Sequence, residues 1–264
     1  MKPFLKWAGN KYKIIEKIKS VLPKGNRLIE PFVGSGAVFL NTDFKNYYLS
    51  EINGDLINLF NNLKRDGDKF ITACREYFSP DYNTEERFYF LRDLFNTTRD
   101  PRLFLYLNKH CFNGLCRYNK SNQFNTPYGK YKKPYFPEKE MFFFHEKSQQ
   151  AEFICEDFSV SMDKAVVGDI IYCDPPYAPL SKTSNFTSYH KDAFGEAEQR
   201  LLAEKAKACQ ARGITVIISN QHTDLIKEIY STAEITAFDV QRYISAKSDS
   251  RHKVEEILGV YLCK

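Results

Sequence analysis

Asp174-Pro175-Pro176-Tyr177 is the segment of this sequence best suited to chemistry. Two successive prolines remove two backbone donors and fix the chain, so the Asp174 side chain and the Pro175 carbonyl present acceptors together, with an aromatic ring beside them. Such a pair suits an exocyclic amino group. An aromatic amine delocalises its lone pair into the ring, and two acceptors on its hydrogens favour a pyramidal nitrogen that exposes that pair. Tyr177 is then available to stack on the base. A rigid strand-to-loop turn is the bland reading of the same four residues.

Two further motifs could hold a ligand. Arg27-Leu28-Ile29-Glu30 leads into Pro31-Phe32-Val33-Gly34-Ser35-Gly36-Ala37-Val38-Phe39, a strand, a glycine turn and an apolar helix start. Backbone can approach a ligand closely there. The third glycine of a dinucleotide fingerprint is absent, so the turn by itself is equally a structural one. About twenty residues on, a strand ends at Ser50-Glu51, where a carboxylate can accept from ribose hydroxyls. A nucleoside-bearing cofactor without a pyrophosphate fits both features. The third motif, Lys6-Trp7-Ala8-Gly9-Asn10-Lys11, sets a lysine on each side of the only tryptophan. It reads either as a packing anchor or as a grip on a cofactor carboxylate and a phosphate.

The elements that must position these residues alternate as in an α/β core. Apolar runs at 28–29, 47–49, 153–155, 170–173, 214–218 and 257–262 read as strands. Helical stripes fill 197–211 and recur at Leu225, Ile226, Ile229 and Tyr230. Asp174 thus falls at the carboxyl edge of a parallel sheet, where ligands bind in such folds. Residues 53–150 break the rhythm: they offer helical patterns at 56–63, 69–78 and 85–95 but no parallel strand. The expected organisation is a catalytic domain in two pieces, 1–52 and 151–264, with a recognition domain, 53–150, between them.

That middle piece also carries the charge. The chain has a net charge of +5. Between positions 109 and 139, Lys109, Arg117, Lys120, Lys130, Lys132, Lys133 and Lys139 face only Glu138. Phe112, Tyr118, Phe124, Tyr128, Tyr131, Tyr135 and Phe136 are interleaved with them, the mixture expected where phosphates are neutralised and bases stacked. A solvated basic loop is the alternative. With 264 residues, 43% hydrophobic, the chain is long enough for one or two compact domains. It lacks a signal-like start and any membrane-length apolar run, so a cytoplasmic address is expected. Seven cysteines form no Cys-x-x-Cys pair and read as reduced thiols. His110, Cys111 and Cys116 lie near one another, but no second ligand pair accompanies them, so no metal site is expected.

Trp7-Ala8-Gly9-Asn10-Lys11, Glu30 to Gly36 and Asp174 to Tyr177 occur in the order seen in DNA adenine methylases of the Dam type. The run Asn113-Gly114-Leu115-Cys116-Arg117-Tyr118-Asn119, followed by Phe124-Asn125, Pro127, Gly129 and Tyr131-Lys132-Lys133-Pro134-Tyr135-Phe136-Pro137, resembles the recognition region of that family. The likeness covers nearly the whole chain. It implies a Rossmann-like methyltransferase sheet with an inserted, mainly helical target-recognition domain. The implied reaction moves a methyl group from S-adenosylmethionine to adenine N6 in double-stranded GATC after base flipping, leaving S-adenosylhomocysteine and using no metal.

The resemblance also assigns roles. Asp174, Pro175, Pro176 and Tyr177 would be catalytic, and Trp7, Lys11, Glu51 and Asp174 would contact the cofactor. Phe32 and the turn Gly34-Ser35-Gly36 would line it, and Asp157 and Phe158 would flank its adenine. Lys6, Leu115, Arg117 and Pro127 would meet target bases, Phe112 would wedge into the stack, and Asn113, Asn119 and Asn125 would hold phosphates alongside Lys132 and Lys133. Phe112 stands where the family usually has tyrosine, Asn10 where it has glycine and Glu51 where it has aspartate. The expected protein is a monomer from a bacterium or its phage, with no obligate protein partner and no membrane association. A restriction-system companion methylase with a longer site, a catalytically silent DNA-binding regulator and an RNA-modifying enzyme are the competing readings.

The basic segment generates the first prediction. Affinity for any duplex falls steeply with salt, and Lys132→Ala or Lys133→Ala flattens the plot of log affinity against log salt by about one unit for each phosphate no longer neutralised. Titration of a labelled duplex at several salt concentrations measures this, and a flat plot for the unmodified protein would reduce the segment to a solvated loop.

Overall fold

The computed structural model describes residues 1–177, 194–241 and 253–263. In chain order the elements are α1 (Ile15–Val21), β1 (Arg27–Glu30), β2 (Asn46–Glu51), α2 (Gly54–Arg75), α3 (Glu85–Thr98), α4 (Pro101–His110), α5 (Glu138–Ser148), β3 (Ala151–Cys155), α6 (Phe158–Asp163), β4 (Asp169–Cys173), α7 (Glu196–Ala211), β5 (Thr215–Gln221), α8 (Asp224–Ile229), β6 (Glu234–Gln241) and β7 (Lys253–Tyr261). The architecture is α/β, with a seven-stranded mixed sheet.

Two compact units are distinguished. One comprises Met1–Lys13, Val33–Asp43 and Glu51–Cys155, the other Ile14–Phe32, Phe44–Ser50 and Glu156–Lys264. In the second unit the strands run in the order β2-β1-β4-β5-β7-β6. Pairings from β2 through β5 are parallel, whereas β7 runs antiparallel to both β5 and β6. All residues of β4 and β5 are buried, as expected for central strands covered on both faces. Arg27, which begins β1, donates from Nε and Nη2 to the Asp169 carboxylate that begins β4, at 3.1 and 2.6 Å, and so fixes the register of these neighbours.

The first unit is built on aromatic packing. Phe144 of α5 lies within 4.8–5.8 Å, centroid to centroid, of Phe4, Phe39, Phe60 and Phe153, and all five rings are buried. The two helical patterns read at 56–63 and 69–78 fall largely on α2, which is interrupted at Gly67 with φ 43° and ψ −116°. His145 explains the interruption. Its Nδ1 lies 3.0 Å from the Leu63 carbonyl, which a regular helix would offer to the Gly67 N–H, and its ring occupies the space of a Cβ at position 67.

The glycine turn departs from expectation. Instead of an apolar helix, residues 37–41 form only a short 3₁₀ turn, Phe39–Asn41. Asn41 donates from Nδ2 to the Ala37 carbonyl at 2.8 Å, and Thr42 donates from its hydroxyl to the Val38 carbonyl at 2.9 Å, so side chains take the acceptors that helical N–H groups would have used. No described helix is long and apolar enough to cross a membrane.

Phe144→Ala is expected to cost about 3–5 kcal/mol, because it removes a ring shared by four neighbours and leaves a cavity in a fully packed cluster. Urea denaturation followed by circular dichroism measures the loss, and a cost below about 1 kcal/mol would mean the cluster collapses around the gap.

Candidate functional site

In the second unit, Asp174-Pro175-Pro176-Tyr177 follows β4 without an intervening residue. Pro175 is buried and Asp174 half-buried. Neither proline N–H exists to anchor the segment, and the Pro176 carbonyl instead accepts from Gln199 Nε2 of α7 at 3.0 Å. Burial, with the Asp174 charge as second cause, pushes the phenol of the adjacent Tyr172 well above its ordinary range, so that it stays protonated. Phe32 and Phe158 stack at 5.3 Å, and Phe194 meets both edge-on at 5.5 and 5.6 Å. Phe194 was not foreseen from sequence. Asp157, expected beside a cofactor, caps α6 by accepting from the Ser159 N–H at 2.9 Å and the Ser159 hydroxyl at 2.5 Å.

In the first unit, the structure brings Trp7, Gly34 and Glu51 together and sets Asn10 against Ser35. Gly34 has φ +48°, and a Cβ there would lie 3.0 Å from Trp7 Nε1, so only glycine fits against the indole. Glu51 Oε2 accepts from the Gly34 N–H at 3.3 Å and Oε1 from the Ile52 N–H at 3.1 Å. Asn10 Nδ2 donates to Ser35 Oγ at 2.8 Å, and Lys11, buried, donates to the Gly9 carbonyl at 2.9 Å. A carboxylate at a strand end beside a glycine turn and an indole could hold a group that carries hydroxyls next to an aromatic ring.

Residues 111–128, where target recognition was expected, form a loop closed by antiparallel bridges between Cys111 and Tyr128 and between Tyr118 and Phe124. Asn108, wholly buried in α4, accepts from the Lys6 N–H at 3.0 Å and donates to the Lys6 carbonyl at 2.7 Å and the Gly114 carbonyl at 3.3 Å. It thereby seats Lys6 against the loop. Lys6 Nζ lies 3.8 Å above the Tyr131 ring, and a Cβ at Gly114 would collide with the Lys6 side chain. The Tyr131 hydroxyl accepts from the N–H of Asn113, which sits at φ 54°.

Arg117 is exposed, and its guanidinium donates to Asn125 Oδ1 at 2.8 Å and to the Asn125 carbonyl at 3.1 Å. Asn119 accepts from the N–H groups of Ser121 and Gln123, so its carbonyl oxygen shapes the turn. Phe112 is 51% exposed, and Leu115, Pro127, Lys132 and Lys133 are exposed as well.

The interleaved aromatics do not all face solvent. Tyr118 and Phe124 are buried, with the Tyr118 hydroxyl donating to Asp55 at 2.7 Å, so they hold the loop and are not available to stack on bases. Lys109, counted with the basic segment, is 6% exposed, and burial, reinforced by Lys6, lowers its pKa to about 8. Its charge belongs under the loop, not on its surface.

His110 Nδ1 lies 2.8 Å from the Tyr106 carbonyl, and its ring stacks on Tyr106 at 4.0 Å. Burial holds the Cys111 and Cys116 thiols up at about 12. Among the described residues no cluster of three metal-ligating side chains occurs.

His110 also sets a pH dependence. Burial pulls its pKa from 6.5 down to about 4, opposed by the Tyr106 carbonyl and assisted by Lys6. The unfolded chain therefore takes up this proton first, so the stability contributed above pH about 6.5 is lost as pH falls toward about 4. His110→Phe should remove this part of the acid sensitivity, worth on the order of 3 kcal/mol at most. Parallel denaturant titrations of both proteins between pH 7 and 4.5 check it, and identical slopes of stability against pH would contradict it.

The D12 class N6 adenine-specific DNA methyltransferase family matches residues 7–244. A DNA adenine methylase from Serratia marcescens is 49% identical over 263 residues, covering 98% of this chain and 97% of the relative. One from Escherichia coli strain K12 is 50% identical over 262 residues, 98% and 94%. One from Vibrio cholerae is 47% identical over 263 residues, 98% and 95%. With a buried strand delivering Asp174-Pro175-Pro176-Tyr177 and a near full-length match to these relatives, the chain belongs to the D12 class of N6 adenine-specific DNA methyltransferases and is an enzyme that methylates adenine in DNA.

Proposed function

We propose that this methyltransferase acts on GATC in double-stranded DNA, working as a monomer and without a metal. S-adenosylmethionine, the methyl donor, supplies an electrophilic methyl group. Asp174 and the Pro175 carbonyl accept the two hydrogens of the target amine, which localises the nitrogen lone pair, and Tyr177 stacks on the extruded adenine. The N6–methyl bond would form as the sulfur–methyl bond breaks, leaving S-adenosylhomocysteine, and the cationic N6 would then release one proton to solvent. Trp7, Lys11, Gly34, Ser35, Gly36 and Glu51 bind the donor, with Phe32 and Phe158 as apolar lining. Asp157 serves by holding the start of α6 beneath Phe158. Flipping costs a few kcal/mol, offset by stacking in the pocket and by the exposed Phe112 ring filling the place beside the orphaned partner base.

The observation that supports GATC most directly is Arg117. It is exposed on the recognition loop, its guanidinium plane is fixed along one edge by Asn125, and Leu115 stands near it in sequence with its side chain partly in solvent. A fork held in one plane suits guanine O6 and N7, and an apolar side chain suits a thymine methyl. Lys6, Pro127, Asn113 and Asn119 complete the contacts to bases and backbone, with Lys132 and Lys133 on phosphates.

Labelled methyl transfer into a GATC duplex and its singly substituted variants tests the reading. The unmodified enzyme should prefer GATC. Arg117→Ala should lose about ten- to a hundredfold discrimination at one base pair and keep it at the others, since a bidentate pair of hydrogen bonds contributes roughly 1–3 kcal/mol. Uniform loss across all duplexes would make Arg117 a backbone anchor instead. A longer obligatory sequence around GATC would assign the enzyme to a restriction system.

A further inference from the structure

Three buried polar side chains of the second unit are used by none of the roles assigned so far. Gln199 of α7, Asn220 near the end of β5 and Tyr230 just after α8 are all wholly buried. Asn220 Nδ2 donates to Gln199 Oε1 at 2.9 Å and to the Tyr230 hydroxyl at 3.1 Å, and the Tyr230 hydroxyl donates to Gln199 Oε1 at 2.9 Å. Asn220 Oδ1 accepts from the Gln221 N–H at 2.8 Å, which settles which way its amide points. Both donors of the Asn220 amide are thus committed to the other two members of the triangle.

The triangle dictates the orientation of Gln199. Two donors converge on its Oε1, so a flipped amide would set its NH2 against N–H and O–H groups and lose both bonds. Nε2 is therefore forced to the other side, where it meets the Pro176 carbonyl at 3.0 Å. Burial pushes the Tyr230 phenol far above its ordinary range, so it remains a donor at every pH the enzyme meets. Burying three polar side chains is costly unless each is satisfied, and apolar residues of similar size would fill the same volume. What this arrangement provides, and an apolar one would not, is a fixed donor aimed at the backbone of a segment whose own prolines offer none.

We infer that Gln199 is a positioning residue for methyl transfer: oriented by Asn220 and Tyr230, it locks the Pro176 carbonyl and thereby holds Asp174 and the Pro175 carbonyl in the geometry that receives the target amine. The inference rests on the reading of Asp174-Pro175-Pro176-Tyr177 as the amine-binding segment. Gln199 touches neither DNA nor cofactor in this role, and it acts only through the backbone it holds.

Gln199→Met, Tyr230→Phe and Asp174→Ala are compared in the full-length protein, at a temperature where circular dichroism and thermal unfolding report each as folded. The readouts are the single-turnover rate constant for labelled methyl transfer, together with separate dissociation constants for duplex and cofactor. Gln199→Met, which keeps the volume and loses both the donor and the acceptor, should slow the methyl-transfer step by about tenfold or more, while both dissociation constants stay within about threefold, because misplacement of a reacting group by a fraction of an ångström acts on rate and not on affinity. Tyr230→Phe leaves Asn220 to orient the amide and should slow transfer by a smaller factor, about three- to tenfold. A purely structural role would lower the unfolding temperature and leave the rate constant of the folded enzyme within twofold of the unmodified protein, and that result overturns the inference. If Gln199→Met does not fold, Tyr230→Phe decides by the same criterion. Asp174→Ala separates the two levels: if it turns over normally, the reading of the segment fails and the inference with it, whereas an inactive Asp174→Ala beside a normal Gln199→Met overturns the inference alone.

Discussion

Backbone that leaves regular structure must still satisfy its N–H and C=O groups, and the proline segment after β4 and the loop of residues 111–128 both leave it. The solution recurs. A buried or half-buried amide side chain outside the loop reaches into it and bonds its backbone. Asn108 does so for Lys6 and Gly114, and Gln199 for Pro176. Asn96 of α3 accepts from the Phe124 N–H at 2.7 Å and donates to its carbonyl at 3.1 Å. Asn83 donates to the Tyr131 carbonyl at 2.8 Å. Amides suit the task because they donate and accept at once without charge, so their burial requires partners but no counterion.

This pattern explains which parts of the molecule were legible in the sequence. The strands of the parallel core read correctly because strands buried on both faces are continuous apolar runs, as 170–173 and 214–218 are. Asp174 to Tyr177 could be placed at a strand end for the same reason. Helix α4 escaped notice because every residue from Leu103 to His110 is buried, so no polar face marks a helical period, although Asp100 caps it and Pro101 opens it. Strand β6 escaped because most of its residues are exposed along an edge. The holding amides were equally invisible. An asparagine or glutamine carries no signal of its own target, although Asn108, directly after the apolar run from Leu103 to Leu107, stood out as a polar residue on a buried stretch.

Composition misled in a different way. A count of cations and aromatics along residues 109–139 treats every one as surface, whereas a loop of that length must spend some of them on its own support. Tyr118 and Phe124 form the loop's inner face, and Lys109 lies beneath it with its ammonium near the Tyr135 ring at 6.0 Å. The other cations of the segment, Arg117, Lys120, Lys130, Lys132, Lys133 and Lys139, are exposed. The residue types were read correctly and their division between support and contact was not, because that division is set by tertiary packing.

The two positions at which these motifs depart from the family's usual residues converge on one turn. Asn10, where glycine is usual, reaches Ser35, and Glu51, where aspartate is usual, reaches the Gly34 N–H. A glycine at position 10 has no side chain to make the first bond, and an aspartate at position 51 is shorter by one methylene. Both changes therefore tie the turn Gly34-Ser35-Gly36 to the residues around it. Turns that require φ above zero at Gly34 and Gly36 lose much conformational entropy on ordering, and tethers made within the protein reduce what remains to be ordered when a ligand arrives. Two substitutions that look like erosion of a motif in sequence are, in three dimensions, supports of the same turn.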